Sequence, residues 1–106
     1  TVVVAAGNSN DNVKSYSPAS CNDVITVGAV DSSGDKASFS NYGKNVDVTA
    51  SGTSMWMLST DEFNPTKELY FQGSGTSMAT PLIASAAANL LMANPSLTPD
   101  QIESIL

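Results

Sequence analysis

The second half of the chain is dominated by a long apolar helix pattern that follows a turn of small residues. Apolar side chains recur there at intervals of three and four, the spacing of a helix with one face on a core; they are Met78, Ala79, Leu82, Ile83, Ala86, Ala87, Leu90 and Leu91. The pattern predicts a helix over residues 77–93 that another layer of the fold must cover.

Three strand patterns precede this helix. Residues 1–6 and 24–30 are continuous β-branched and small apolar runs, which is typical of parallel strands covered on both faces. Residues 46–50 alternate instead, with Val46, Val48 and Ala50 on one face, as in a half-covered strand. These patterns predict an α/β fold.

A second helix is predicted near the end of the chain. Thr98 is its expected cap, Pro99 its first residue, and Gln101 the partner that closes a capping box. The first strand pattern starts at residue 1, and this helix pattern still continues at residue 106. We therefore expect the chain to be one part of a longer, truncated fold.

Size and charge exclude several classes of protein. The chain has 106 residues, enough for one small domain, and a net charge of −6 without the clustered basic residues that nucleic acid requires. We see no apolar run that approaches a membrane span and no signal-peptide pattern. Cys21 is the only cysteine, so no disulfide forms within the chain.

Ser77 lies at the predicted start of the long helix, where backbone N–H groups stabilise negative charge on a nearby oxygen. It has two interpretations. Serine is a favoured helix cap and needs no chemistry in that role. As a nucleophile it would need a base, and the chain contains no histidine.

The wider sequence around Ser77 is more specific. Residues 74–81 read Ser-Gly-Thr-Ser-Met-Ala-Thr-Pro and closely resemble the nucleophile signature of the subtilisin-like serine proteases, the subtilase family. Residues 4–8, Val-Ala-Ala-Gly-Asn, and residues 37–43, Ala-Ser-Phe-Ser-Asn-Tyr-Gly, are similar to two further segments of that family. The resemblance covers residues 2–106 and corresponds to the C-terminal half of a catalytic domain.

This resemblance implies a fold and a reaction. The fold would be part of a three-layer α/β/α arrangement around a mainly parallel sheet. The reaction would be the hydrolysis of peptide bonds through an acyl-enzyme, in a secreted endopeptidase whose His and Asp come from the missing N-terminal half. Ser77 would be the acylating serine, and the Asn8 amide would donate to the oxyanion.

The same resemblance gives a role to the residues before Asn8. The backbone of Ala5, Ala6 and Gly7 would form a wall of the pocket for the substrate side chain that precedes the cut. On local sequence alone, Asn8 is equally well explained as a turn former after a buried strand.

A calcium site is a further implication. The spacing from Asn8 to Asp47 resembles the proteinase K-like branch, in which an aspartate at the position of Asp47 joins the carbonyls of Asn22 and Val24 around calcium. One carboxylate with carbonyls and waters suits that ion. The alternative is a solvated strand aspartate, because one carboxylate alone is weak evidence for a metal.

Residues 61–73 depart from the family, which usually has a shorter hairpin at this point. Glu68–Gly73 is similar to the cleavage site of a potyviral processing protease, although the Asn of that site is missing. The segment could therefore be an engineered scar or a swapped loop. Leu69-Tyr70-Phe71 also has strand composition, and because the match to the cleavage site is incomplete, we favour a natural strand.

Two other hypotheses stay open on function. The family's helix has His and Gly where this chain has Leu82 and Ser85, which leaves room for a catalytically inactive or engineered fragment that binds a partner or serves as a scaffold. A nucleotide-binding α/β domain is a weaker alternative, because no G-x-G-x-x-G and no P-loop lysine follow the first strand.

Overall fold

The computed structural model describes residues 1–60, 66 and 68–106. Three strands form a parallel sheet in the order β1-β2-β3: β1 is Val3–Ala5, β2 is Ile25–Val30 and β3 is Val48–Ser51. In the register, Val3 lies opposite Ile25 and Val27 lies opposite Val48. This sheet confirms the predicted α/β class and all three predicted strands, with bounds that differ by at most two residues.

Two helices follow the sheet. The long helix α1 is Thr76–Ala93 and the short helix α2 is Pro99–Ile105. The predicted capping box of α2 is present, since Gln101 N donates to the Thr98 hydroxyl and Thr98 N donates to the Gln101 side chain. Helix α1 packs against all three strands and places the start of the helix beside the end of β1.

The main core lies between the sheet and the helices. Its buried members come from β2, the segment after β2, α1 and α2, and they are Ile25, Val27, Ala29, Ala37, Ala79, Ile83, Ala87 and Ile102. Small Ala79 and Ala87 let α1 approach the sheet closely. The predicted apolar face of α1 is wrong at Leu82, which is 43% exposed because the buried stripe runs through Ala79, Ile83 and Ala87.

The expected two-sided cover holds for β2 but not for β1. Five successive residues of β2 are buried, whereas all of β1 is only half-buried. The reason is position, because β1 lies at the edge of this sheet and pairs with β2 alone among the described strands. A run of β-branched residues therefore did not distinguish a central strand from an edge strand.

The segment after β1 is polar in composition but is not simply a surface loop. It contains a 3-10 helix at Val13–Ser15, and Val13 is 0% exposed. Val13 packs with Ala6 and Ala19 in a second, smaller core on the loop side of the fold. Two apolar anchors thus hold an otherwise polar segment against the end of β1.

A two-stranded antiparallel hairpin precedes α1. Its strands are β4, Met55–Thr60, and β5, Glu68–Gly73, with Met55 opposite Gly73 and Thr60 opposite Glu68. The predicted strand at Leu69–Phe71 is therefore confirmed. Residues 61–65 and 67, which belong to the unusual 61–73 segment, lie outside the described residues.

Helix α1 contradicts the expectation that no apolar run approaches the length of a membrane span. Its 18 residues, with a mean hydropathy of 1.2, are long and apolar enough to cross a membrane by length and composition alone. Core helices of soluble domains pass the same test, and α1 packs on all three strands of the parallel sheet.

The anchoring of α2 gives a first prediction. Ile102 is 0% exposed in the main core, whereas Ile105 in the same helix is 56% exposed. Within a folded protein that contains this chain, Ile102→Ala should lower the free energy of unfolding by about 2–5 kcal/mol, because it leaves a cavity. The matched variant Ile105→Ala should change it by less than about 1 kcal/mol. Urea unfolding followed by circular dichroism measures both, and equal losses would contradict this packing.

Candidate active site

Ser77 lies in the first turn of α1, exposed to solvent. The cap of this helix is Gly75, which has no side chain with which to make a capping hydrogen bond. Ser77 is two residues past the cap, inside the helix. The interpretation of Ser77 as a helix cap is therefore wrong, and neither its hydroxyl nor its N–H donates or accepts any described hydrogen bond.

Asn8 follows β1 directly and reaches the same turn of α1. Its Oδ1 accepts from the backbone N–H of Thr76 at 2.9 Å and from the Thr76 hydroxyl at 2.9 Å. The Thr76 oxygen in turn accepts from Gly7 N at 3.1 Å. Thr76 is fully buried, so this bridge between β1 and α1 is shielded from water.

This bridge fixes the orientation of the Asn8 amide. A backbone N–H can only donate, so the amide oxygen must face Thr76 and the amide nitrogen must face away. Asn8 Nδ2 makes none of the described hydrogen bonds, and Asn8 is exposed to solvent. Its two N–H groups are therefore available to a ligand.

Asn8 Nδ2 and Ser77 N border one small space. A Cβ built on Gly75 would stand 3.5 Å from Asn8 Nδ2 and 3.8 Å from Ser77 N. Because residue 75 is glycine, no side chain fills that space. An oxygen atom entering it would meet a side-chain amide donor and a helix N-terminal donor together, beside an exposed hydroxyl.

The three residues before Asn8 lie as follows. Ala5 ends β1 half-buried, and the Ala6 side chain is buried in the smaller core, so only the Ala6 backbone can border a pocket. Gly7 has a φ of 101°, which favours glycine. These positions fit a role for the backbone and not for the side chains.

The three candidate calcium ligands lie together. Asn22, Val24 and Asp47 line one polar cavity of about 430 Å³, whose other ionisable members are Cys21, Asp23, Lys44, Asp100 and Glu103. Asp47 Oδ2 accepts from Thr26 N at 2.7 Å, which orients the carboxylate. No described hydrogen bond uses Asp47 Oδ1 or the carbonyl oxygens of Asn22 and Val24. This donor set suits calcium, although no group of three or more His, Cys, Asp and Glu that could hold a metal occurs among the described residues.

Taken together, the groups near Ser77 are a hydroxyl and two N–H donors that have no partner among the described hydrogen bonds. Such donors act where negative charge develops on a carbonyl oxygen. The sequence contains no histidine, which is the usual proton acceptor for a serine hydroxyl.

The whole chain, residues 1–106, matches the model of the subtilase family of peptidases, and it belongs to this family. It is 48% identical to an extracellular serine proteinase of Thermus sp. strain Rt41A, with all of this chain and 25% of that protein aligned. It is 44% identical to an extracellular protease of Xanthomonas campestris, again over all of this chain but 19% of that protein.

Solved structures give the same result for the fold. A protease of Pseudoalteromonas arctica PAMC 21717 superposes with a TM-score of 0.92 at 43% identity, over all of this chain and 34% of that one. A cold-adapted subtilisin-like serine proteinase superposes with a TM-score of 0.84 at 40% identity, over 96% and 35%. The fold is therefore a part of the subtilisin-like α/β fold, and the chain spans about a quarter of the length of the curated relatives it matches.

Sequence reasoning missed two residues that build the site. Thr76 was read only as part of a signature, and Asn41 only as part of a resembling loop, yet both hydrogen-bond to the segment around Asn8. The available signal was chemical, since polar side chains that become buried need partners. Their partners are 30–69 residues away in sequence, which no local pattern displays.

The Thr76 bridge gives a second prediction. Thr76→Val in a folded protein containing this chain should lower the free energy of unfolding by about 1–3 kcal/mol, because Gly7 N and Asn8 Oδ1 lose a buried partner. Thr80→Val is the matched control, since the Thr80 hydroxyl donates to the Thr76 carbonyl within the same helix. That carbonyl keeps its helical amide partner, so the control should cost less. A Thr76→Val protein as stable as its parent would contradict the bridge.

Proposed function

We propose that this chain is the nucleophile-bearing part of a secreted serine endopeptidase that hydrolyses peptide bonds through an acyl-enzyme. In this proposal the Ser77 Oγ attacks the scissile carbonyl carbon, a histidine outside the chain takes its proton, and an aspartate orients that histidine. The carbonyl oxygen gains negative charge and accepts hydrogen bonds from Asn8 Nδ2 and Ser77 N. The backbone of Ala5, Ala6 and Gly7 borders the pocket for the substrate side chain before the cut.

One observation carries the proposal: two donors without partners border the same space beside Gly75, next to an exposed serine hydroxyl. Both donors lie on exposed residues, so an incoming ligand can reach them. The arrangement suits an oxygen that becomes charged only during reaction.

The necessary partner is the N-terminal half of the catalytic domain, which would supply Asp and His. The exposed apolar side chains of α1 support this, among them Leu82 and Met92. Among the described residues, the main core lies between a three-stranded sheet and two helices, so it is thin; we expect the separate chain to fold poorly and to hydrolyse no peptide alone. The extracellular relatives support secretion of the whole protein.

A hybrid protein tests the proposal directly. Residues 1–106 would replace the matching third of the Pseudoalteromonas arctica protease, which is similar over all of this chain. In the hybrid, Ser77→Ala should abolish hydrolysis of a chromogenic peptide. Asn8→Ala should lower kcat by about 10²–10³, a magnitude measured on subtilisin, itself a member of this family. The KM should change little, because the lost hydrogen bond forms only in the transition state.

The controls separate chemistry from folding. Asn10→Asp changes another asparagine of the same loop, whose Oδ1 accepts from Lys36 Nζ and whose φ of 50° an aspartate also tolerates, and it should keep the parental kcat. Turnover that survives Ser77→Ala, or an Asn8→Ala protein with the parental kcat, would contradict the assigned roles.

The non-catalytic alternative rests on Leu82 and Ser85, both exposed on α1 and both different from the family's His and Gly. A fragment that only binds or fills a scaffold would give a folded hybrid without turnover. Residual turnover that depends on Ser77 would exclude this alternative.

We also propose a structural calcium ion held by Asp47 Oδ1 and the carbonyls of Asn22 and Val24. Calcium would add a cross-link between the loop before β2 and the start of β3. The free oxygens of these three residues and the acidic members Asp23, Asp100 and Glu103 of the cavity support the proposal.

The calcium proposal predicts a loss of metal-linked stability. At calcium about 100 times the dissociation constant of the site, binding stabilises a protein by about 2.7 kcal/mol. In the hybrid, Asp47→Asn should remove a gain of that size in unfolding free energy, measured with and without calcium. The matched variant Asp35→Asn changes an exposed aspartate remote from the cavity and should keep the full gain. Equal gains in both variants would contradict the site.

A further inference from the structure

Asn41 is a buried residue whose side chain hydrogen-bonds to the turn that carries Asn8. It is 1% exposed and lies in the loop between β2 and β3, more than thirty residues from the turn. Its Nδ2 donates to the Ala6 carbonyl at 2.8 Å, and its backbone N–H donates to the Gly7 carbonyl at 2.9 Å. These two bonds fix the chain immediately before Asn8.

The other end of the Asn41 amide fixes the chain after Asn8. Its Oδ1 accepts from Ser9 N at 2.9 Å and from Asp11 N at 3.1 Å. All donors and acceptors of the side-chain amide except one N–H therefore bind the same turn, on both sides of Asn8. Asn8 itself contributes no side-chain bond to this arrangement, because its Oδ1 is held by Thr76.

Asn41 is also attached to the sheet. The Ser40 hydroxyl donates to the Asn41 carbonyl at 3.0 Å and accepts from Ala29 N of β2 at 3.0 Å. The turn is thus connected through Asn41 to the most buried strand of the fold. The contact is close, since a Cβ on Gly7 would stand 2.4 Å from Asn41 Nδ2, so a side chain at position 7 would displace the amide.

We infer that Asn41 is a positioning residue for the oxyanion donor: it holds the main chain of Asn8 while Thr76 holds its side chain. The inference rests on the proposed function of Asn8. The position of such a donor matters for the rate, because a misplacement of about 1 Å can cost about 10² in rate. If Asn41 served only to pair the buried backbone groups of this turn, its substitution would affect folding but not the turnover of the folded enzyme.

The test is a double-mutant cycle in the hybrid described above. Asn41→Asp keeps both acceptor bonds but places an oxygen against the Ala6 carbonyl, which pushes the turn away. It should lower kcat by about ten- to a hundredfold, with a smaller change in KM. In an Asn8→Ala background, where no donor is left to position, the same substitution should lower kcat by less than about twofold.

The control is Thr98→Ala, which removes the capping box of α2 without touching the Asn8 turn and should keep the parental kcat. Asn41→Ala provides a second variant should the aspartate prevent folding, with the same expected cycle. Equal kcat losses with and without Asn8 would overturn the inference, as would a failure of both Asn41 variants to fold while Thr98→Ala folds. An Asn8→Ala protein with the parental kcat, or an inactive hybrid, overturns the proposed function and this inference with it.

Discussion

The hydrogen bonds from Thr76 to the Asn8 side chain join the end of the first strand to the first turn of the long helix. These elements are far apart in sequence, and each ends in backbone groups that need partners. One amide oxygen satisfies two donors at once, and the position it takes leaves the amide nitrogen facing outward. The same contact therefore closes the fold at this point and creates the unpaired donor of the candidate site.

The hydrogen bonds that hold Asn8 are protected by burial. Thr76 on one side and Asn41 on the other are both buried, so water does not compete for the bonds that hold Asn8. Asn8 and Ser77, which carry the chemistry in our proposal, are both exposed. The exposed groups that would face a substrate are thus held in place by buried polar groups, and such support keeps a site ordered before its ligand binds.

Local patterns in the sequence were sufficient for the elements that carry them. The alternation at 46–50, the apolar run of β2 and the capping box at Thr98 each depend on neighbours within a few residues, and each predicted its element correctly. The family resemblance made Ser77 and Asn8 candidates by motif and Asp47 a candidate by spacing, and the structure brings Asn8 and Ser77 to one space beside Gly75.

The remaining features depend on distant partners. The burial of Val13, the bonds of Asn41 and the edge position of β1 all follow from contacts between segments that no local window contains. Strand β4 was also missed, because Met55, Trp56, Met57 and Leu58 form an apolar run with no alternation, and alternate side chains of it face solvent in the hairpin.

Fluorophosphonate labelling with peptide mapping tests the central claim most directly, because the reagent forms a bond only with an activated serine hydroxyl. The chain would be labelled alone and after mixing with a subtilase N-terminal half that carries Asp and His. Our account predicts labelling of Ser77 in the mixture and not in the chain alone, since the nucleophile needs a base that the chain lacks. An unlabelled Ser77 in a mixture shown to be folded would contradict it.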